Sequence, residues 1–242
     1  MIKNLFSFLC VFVLGACVPA HIARLNSIRV QKLPILETQL AAADLEAGDP
    51  LYVRVFKEEG VLETWVRNRD TGFYQPFKTY EICRYSGTLG PKLMRGDMQA
   101  PEGFYDVTEE QLFPQSKYDL AMNIGYPNVY DEFLARTGDR IMIHGGCKSE
   151  GCFAMTNEGI EEIYLLAEQS LRGGSESIPV HIFPFRMTDE NMRLHGNSKW
   201  TPFWKNLKQG YDMFEQSHYP PRVAAQGGEY LFMPQGFAYA GI

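Results

Sequence analysis

A histidine and a cysteine eight residues apart are the side chains of this sequence best suited to chemistry. His144 ends the short apolar run Ile141–Ile143 and precedes two glycines, so we place it at the end of a strand. Cys152 lies in the following loop, shortly before Thr156, a residue typical of a helix N-terminus. A free cysteine has a pKa of about 8.5, and a neighbouring imidazole can take its proton and leave the nucleophilic thiolate. The pair therefore predicts a cysteine nucleophile, a histidine general base and a lowered pKa for Cys152.

The residues between them also fit acyl transfer. Gly151 has no Cβ, so a substrate carbonyl can approach its backbone, and the amides of Gly151 and Cys152 are candidate donors to an oxyanion. Gly145 ends the strand and is a candidate support for His144. Ser149 is a candidate hydrogen-bonding partner of the thiolate, and a plain turn role is the alternative.

The other cysteines leave several interpretations open. Cys147 is a disulfide partner of Cys83, a thiol in the binding cleft, or an inert thiol. A zinc site of His144, Cys147 and Cys152 is a further alternative, but structural zinc takes four ligands and no fourth one stands out. We therefore expect neither a metal nor a cofactor.

The first twenty residues indicate export. Lys3 and the uncharged apolar run Leu5–Leu14 are typical of a signal peptide, and the run is too short to span a bilayer, which takes roughly 20 residues. Leu14–Cys17 resembles the lipobox of bacterial lipoproteins, which would place a lipid on Cys17; cleavage at Val18–Ala20 is the alternative. We expect a periplasmic protein whose only membrane contact is such a lipid anchor.

Composition argues against two classes of protein. The chain carries a formal net charge of −6, whereas sequence-independent binding of nucleic acid needs a basic surface. Its 242 residues include 13 Tyr and 16 Phe, which supply a sizeable core and argue against disorder. We expect a globular protein that does not bind nucleic acid.

The chain divides into a signal peptide over residues 1–20, a stem over 21–49 and one catalytic domain over 50–242. Strands precede His144 and helices follow it, which predicts a mainly β fold with flanking helices, an α+β protein. The predicted strands are Leu51–Lys57, Val61–Arg69, Phe77–Tyr85, Phe104–Val107 and Ile178–Phe185, with a long loop over 87–103. One helix starts at Thr156 or Asn157, and another starts at Thr201 with an apolar stripe of Trp204, Leu207, Tyr211 and Phe214.

Longer strings make the chain resemble the L,D-transpeptidase catalytic domain family, the YkuD-type domain. That family has a strand ending in His-Gly and, after a loop, Ser-His-Gly-Cys before a helix. The matching strings here are Ile143-His144-Gly145 and Ser149-Glu150-Gly151-Cys152. The string from His144 to Thr156 is similar to the YafK-like branch of the family. Further matches are Gly90–Lys92, Gly96–Asp97, Pro101–Tyr105 and Tyr126–Asn128, and the resemblance covers about residues 50–235.

The resemblance implies a β-rich domain with a cleft that binds peptidoglycan stem peptides. Cys152 would attack an amide carbonyl and form a thioester, while His144 would take the thiol proton and later protonate the leaving amine. Lys92 and Arg95 are candidates to pair with stem-peptide carboxylates, and solvated loop charges are the alternative. Tyr126 is a further candidate for substrate binding.

Two departures from the family pattern bear on the reaction. The loop between His144 and Cys152 is shortened, and Glu150 replaces the second His of the family. Members of the YafK-like branch are associated with releasing an outer-membrane lipoprotein from peptidoglycan. We therefore expect hydrolysis of the amide between diaminopimelate and that lipoprotein. A transpeptidase that forms 3–3 cross-links or attaches lipoprotein is one alternative, and a catalytically inactive peptidoglycan-binding protein is another.

Overall fold

The structure is a computed structural model that describes residues 19–235. The strands in this range are β1 (Leu51–Phe56), β2 (Val61–Arg67), β3 (Tyr74–Glu81), β4 (Arg84–Tyr85), β5 (Gly103–Val107), β6 (Leu112–Phe113), β7 (Ala121–Asn123), β8 (Met142–His144), β9 (Phe153–Ala154), β10 (Ile178–Phe183), β11 (Arg222–Gln226) and β12 (Glu229–Met233). The α-helices are α1 (Ala20–Ala41), α2 (Val129–Phe133), α3 (Asn157–Arg172), α4 (Asp189–Leu194) and α5 (Thr201–Ser217).

Two predictions fall on residues that are not described. The signal-peptide core Leu5–Leu14 and the candidate lipidation site Cys17 lie outside residues 19–235. Export and lipidation therefore stay predictions. Within the described range, none of the helices is both long enough and apolar enough to cross a membrane.

The first sheet is built around β1, with strand order β3-β2-β1-β10-β5. β1 pairs antiparallel with β2 and parallel with β10, where Val53 lies opposite Val180. All of β1 and nearly all of β10 are buried, as expected for strands covered on both faces.

The second sheet has the order β4-β9-β8-β7-β6, and β11 and β12 form a separate hairpin. The strands of the second sheet are only two or three residues long, and β8 and β9 run parallel. Two mixed sheets with flanking helices confirm the predicted α+β fold class. The second sheet positions the candidate residues, because His144 ends its strand β8 and Cys152 directly precedes its strand β9.

α3 packs into the main core. The Thr156 hydroxyl accepts a hydrogen bond from the Gly159 amide (3.0 Å), which caps the helix start as predicted. Its buried apolar residues contact buried residues of both sheets; they are Ile160, Ile163, Tyr164, Leu165, Leu166 and Ala167. Each large apolar side chain buried here contributes about 1.5–3 kcal/mol to stability.

α5 covers the first sheet on another side. The predicted stripe of Trp204, Leu207, Tyr211 and Phe214 is buried in full. Tyr211 lies against Phe56 and Phe183, and Phe214 against Tyr52. The stripe is therefore a core face, as the sequence predicted.

The segment predicted as a stem is mostly the helix α1, and this helix packs on the domain. Leu25, Ile28, Leu36 and Leu40 are buried in the same core as α3. Pro34 lies inside the helix and its apolar face is interrupted by polar residues, so local periodicity did not reveal it.

The predicted strand Phe77–Tyr85 is divided in the structure. β3 ends at Glu81 in the first sheet, and β4 starts at Arg84 in the second. A continuous β-rich sequence cannot show that its two ends belong to different sheets, because that depends on partners far along the chain.

Candidate active site

The predicted base ends β8, and the predicted nucleophile directly precedes the neighbouring parallel strand β9. Ile143 pairs with Phe153 and His144 with Ala154, and Cys152 directly precedes β9. Residues opposite each other share a face of a sheet, and so do residues two apart along a strand. Since Cys152 is two residues before Ala154, it lies on the face of the second sheet that carries His144.

Backbone groups at the start of β8 hold the Cys152 thiol. Its Sγ accepts a hydrogen bond from the Met142 amide (3.4 Å), and its S–H points to the Arg140 carbonyl oxygen (3.7 Å). Burial raises the pKa of Cys152 and so does the charge of Glu150, whereas the Met142 amide and the Lys92 charge lower it. The prediction of a lowered pKa is wrong, because burial of a thiolate outweighs these two favourable contacts. Cys152 is therefore a neutral thiol at rest.

His144 is buried, and one of its tautomers is fixed. Its Nδ1 lies 2.7 Å from the Gly145 carbonyl oxygen, which can only accept, so Nδ1 carries the proton and Nε2 is the basic nitrogen. The ring stacks on Tyr118 with centroids 4.9 Å apart. Burial lowers the pKa of His144, and the Gly145 hydrogen bond only partly opposes this. The imidazole is thus neutral at pH 7, as a general base requires.

Gly145 supports His144 through close packing as well as through its carbonyl group. A Cβ at this position would lie 2.6 Å from the Tyr118 carbonyl oxygen and 2.9 Å from Asn157 Oδ1, so only glycine fits. Its amide donates to the Leu120 carbonyl (3.2 Å), and the Gly146 amide donates to Asn157 Oδ1 (2.9 Å). The sequence did not single out Tyr118 and offered Asn157 only as a possible helix start, because neither stands in a motif that signals a contact near His144.

The remaining cysteines resolve into a disulfide. Cys83 and Cys147 are bonded, with Cα atoms 5.4 Å apart, which ties the β8–β9 loop to the turn between β3 and β4. Cys147 is therefore unable to join His144 and Cys152 in a zinc site. Cys152 is the free cysteine within residues 19–235. No three His, Cys, Asp or Glu side chains in that range are grouped to hold a metal ion.

Two predicted support residues are engaged differently from the prediction. The Gly151 amide donates to the Ser86 hydroxyl oxygen, so that amide is already occupied and the predicted oxyanion contact requires this bond to open. Ser149 donates to the Cys152 carbonyl oxygen (2.5 Å) and not to the thiol, which is the turn role weighed as the alternative. Ser86 went unnoticed because a lone serine in a loop gives no signal.

Lys92 is buried and is paired within its own loop. Its Nζ donates to Asp97 Oδ1 (2.5 Å) and to the Met94 carbonyl oxygen (2.9 Å), and its charge lowers the pKa of Cys152. Tyr126 is also buried, and its hydroxyl donates to the Lys92 carbonyl oxygen (3.2 Å). A substrate carboxylate would have to compete with Asp97 for Lys92, so the structure favours a charge role for Lys92 over direct pairing.

Arg95 lies on the same loop but faces solvent. Its guanidinium is 3.1 Å from the Asp139 carboxylate, and both side chains are more than half exposed. This arrangement fits the solvated loop charge that the sequence left as the alternative.

An ion pair buried below the long loop fixes its position. Lys57 Nζ donates to Glu102 Oε1 (2.9 Å) and to the carbonyl oxygens of Gly90 and Ala100. The Gly90 amide (2.6 Å) and Trp204 Nε1 (2.8 Å) donate to the same carboxylate. Both charged side chains are fully buried. The sequence did not reveal this pair because its members are 45 residues apart.

A separate cavity lies away from Cys152 and His144. It measures about 860 Å³ and is lined by β5, β10 and β11, including Asp106, His181 and Arg222. Burial, together with the charge of Arg54, lowers the pKa of His181 to about 3. Neither Cys152 nor His144 lines this cavity, so the candidate chemistry stays at the β8–β9 pair.

Comparisons with known proteins show what the chain is similar to. Residues 52–182 match the L,D-transpeptidase catalytic domain (YkuD). The chain is 48% identical over 184 residues to YafK of Escherichia coli (strain K12), which is named as an L,D-transpeptidase; the match covers 76% of this chain and 74% of YafK. YafK of Escherichia coli O157:H7 gives the same values.

One solved structure that the chain matches is the helical cell shape determining protein Pgp2 of Campylobacter jejuni. It has 16% identity and a TM-score of 0.44, covering 78% of this chain and 79% of that one. The family match, over more than half of the chain, and the identity to YafK lead to one conclusion. The chain belongs to the L,D-transpeptidase catalytic-domain (YkuD) family.

Proposed function

We propose that the protein is a cell-envelope cysteine enzyme that acts on peptidoglycan stem peptides through a Cys152 thioester. One observation carries the proposal: the thiol and a neutral imidazole with an unprotonated Nε2 share a face of the β8–β9 pair. Family membership supports the choice of peptidoglycan as the substrate class.

The first half of the reaction forms the thioester. His144 Nε2 takes the thiol proton as Cys152 Sγ attacks the amide carbonyl carbon. The carbon becomes tetrahedral and the carbonyl oxygen becomes an oxyanion. When the carbon–nitrogen bond breaks, the imidazolium returns that proton to the leaving amine. Because Cys152 and His144 are both neutral at rest, proton transfer accompanies attack and does not precede it.

In the second half water resolves the thioester. His144 takes a proton from water, hydroxide adds to the thioester carbonyl, and the thiol leaves with the proton from the imidazolium. Glu150 lies close enough for its charge to raise the pKa of Cys152, and a carboxylate in that position is suited to hold a water molecule. We accordingly propose hydrolysis of the amide between diaminopimelate and a wall-anchored lipoprotein.

Glu150 also supports a second candidate. A carboxylate beside the thioester attracts a cationic amine, and an amine acceptor would give a transpeptidase that forms 3–3 cross-links or attaches lipoprotein. The raised pKa of Cys152 supports a third candidate, a peptidoglycan-binding protein without activity. Both candidates would bind peptidoglycan, as in the leading proposal, and they differ from it in what happens at Cys152.

The proposed site of action is the periplasm. The predicted signal peptide over residues 1–20 supports export, and a lipid on Cys17 would hold the enzyme at the envelope. Processing of the full chain is compared with and without globomycin, and the mature N-terminus is analysed by mass spectrometry. A lipidated Cys17 supports both export and the anchor. Cleavage after Ala20 supports export and contradicts the anchor.

The decisive experiment offers purified enzyme two substrates, lipoprotein-bearing sacculi and free tetrapeptide muropeptides. Mass spectrometry of the soluble products then distinguishes the three candidates. Release of the lipoprotein without new dimers supports hydrolysis, whereas abundant 3–3 dimers with retained lipoprotein support the transpeptidase. Binding of sacculi with neither product, equal in wild type and Cys152→Ala, would leave the binding protein.

A further inference from the structure

The helix α1 reaches the surroundings of His144 although it lies outside the matched residues 52–182. Arg24 Nε donates to Asp119 Oδ1 (2.8 Å), its terminal nitrogen contacts the same oxygen, and it also reaches Glu161 of α3 (3.2 Å). Asp119 lies two residues before β7, on the segment that runs beside His144. The contact therefore links the N-terminal helix to the candidate site.

Asp119 depends on Arg24 more than Arg24 depends on Asp119. The Asp119 side chain is only 3% exposed while that of Arg24 is 51% exposed. Asp119 has a left-handed backbone (φ 70°), and its Oδ2 has no hydrogen-bond partner within the part of the chain that the structure describes. A buried carboxylate is unfavourable without a counter-charge. Arg24 thus holds an otherwise unfavourable conformation in place.

The residues on both sides of Asp119 contact His144 and its partner. Tyr118 stacks on the imidazole with centroids 4.9 Å apart and planes 28° from parallel. The Leu120 carbonyl accepts the Gly145 amide (3.2 Å), and Ala121 pairs with His144 in the sheet. A shift of residues 118–120 would therefore move the stacking ring and the carbonyl that fixes the tautomer.

We propose that Arg24 is a positioning residue for His144: its pair with Asp119 fixes residues 118–120, which hold the Tyr118 ring and the Gly145 carbonyl in place. This role rests on the proposed function of His144 as the base. Through Asp119 and Tyr118, the helix α1, which follows the predicted signal peptide, would thus help to position the base.

Loss of Arg24 has a predictable effect on His144. The ionisable groups nearby are Cys152 just before β9, Tyr118 and Lys117 on the loop before β7, and Asp119, which is paired with Arg24 and, through it, with Glu161 of α3. Without Arg24, Asp119 loses its counter-charge, and we expect residues 118–120 to shift and the Tyr118 ring to cover the imidazole less closely. Burial is what lowers the pKa of His144, so a less buried imidazole is easier to protonate and its pKa should rise towards 6.5.

α1 offers a matched control. Arg29 also binds a carboxylate of α3, with its Nε 2.8 Å from Glu168 Oε2, but it does not touch residues 118–120. Arg29→Ala therefore removes a comparable ion pair from the same helix. Tyr118→Phe keeps the stacking ring, and Tyr118→Leu removes it.

The experiment is an NMR titration of histidine-labelled protein, with the His144 signals assigned from His144→Gln. We expect a higher His144 pKa in Arg24→Ala and Tyr118→Leu, and the wild-type value in Arg29→Ala and Tyr118→Phe. The kcat/KM on lipoprotein-bearing sacculi should fall about tenfold at pH 7 in Arg24→Ala, with its acid limb moved to higher pH. Arg29→Ala should keep the wild-type profile.

An unchanged His144 titration in Arg24→Ala, or an equal shift in Arg29→Ala, would overturn the positioning role. The titration needs no substrate, so it remains decisive if the protein fails to act on sacculi. Failure of the proposed function would appear separately, as a lack of turnover in wild type.

Discussion

His144 and His181 are both buried, both lie on strands and both have a lowered pKa, but their surroundings differ. In the first sheet, His181 Nδ1 is 2.7 Å from the Tyr52 hydroxyl, which can donate or accept, and its ring is enclosed by Tyr52 and Phe104. In the second sheet, the Gly145 carbonyl fixes the tautomer of His144. Burial alone thus gives a neutral histidine, whereas a fixed tautomer and a neighbouring thiol give a base.

Replacing the two histidines should separate chemistry from stability. His144→Ala should lower kcat by about 10²–10⁴-fold, since proton transfer to and from the substrate loses its carrier. His181→Gln should keep the activity of each folded molecule and lower the midpoint of urea unfolding. Steady-state kinetics with unfolding curves of both variants check this, and a similar loss of kcat in His181→Gln would contradict the contrast.

The pH dependence of stability should reflect His181. Its pKa is about 3 in the folded protein against 6.5 for the ordinary group, so the unfolded chain takes the proton first as the pH falls. The corresponding stability is fully present above pH 6.5 and is lost as the pH falls towards 3, a total of about 5 kcal/mol. Urea unfolding between pH 7 and 4 measures most of this loss.

The control for that series is His181→Gln, which cannot take up the proton. Its stability should fall less steeply with acid than that of wild type over the same range. Parallel curves for the two proteins would mean that another group dominates acid unfolding.

The disulfide near His144 should affect stability and not chemistry. Cys83 and Cys147 are 64 residues apart, and closing a loop of that length contributes about 4 kcal/mol in the chain-entropy account. The double substitution Cys83→Ser with Cys147→Ser should lower the unfolding free energy by that order, yet keep activity well below its Tm. Loss of activity in a protein that is still folded would show that the clamp also positions Cys152.

A smaller effect concerns the reactivity of the thiol. Because burial raises the pKa of Cys152, its alkylation by iodoacetamide should be slow at pH 7 and should increase steadily up to pH 9. A preformed thiolate–imidazolium pair would instead react at a constant rate across neutral pH. Quenching the alkylation at set times and measuring the modified Cys152 peptide by mass spectrometry distinguishes the two profiles.

Local sequence was enough to predict several elements of the fold. The run before His144, the Thr156 cap and the stripe from Trp204 to Phe214 each depend on neighbours within a few residues, and the structure has them where predicted. The fold class followed from the order of such elements.

Long-range contacts account for what sequence did not give. The Cys83–Cys147 bond, one of three alternatives that the sequence left open, joins residues 64 apart. The Lys57–Glu102 pair lies under a loop, and α1 is stabilised by packing on α3. The pKa of Cys152 was predicted in the wrong direction because burial depends on the whole fold. None of these has a local pattern.

The most direct test of the account is to trap the thioester. Enzyme mixed with a lipoprotein-bearing muropeptide is quenched in acid within milliseconds to seconds, digested and analysed by mass spectrometry. The account predicts the acyl group of the stem peptide on Cys152, no such adduct in Cys152→Ala, and an intact Cys83–Cys147 bond in both. An acyl group on another residue, or continued turnover in Cys152→Ala, would contradict it.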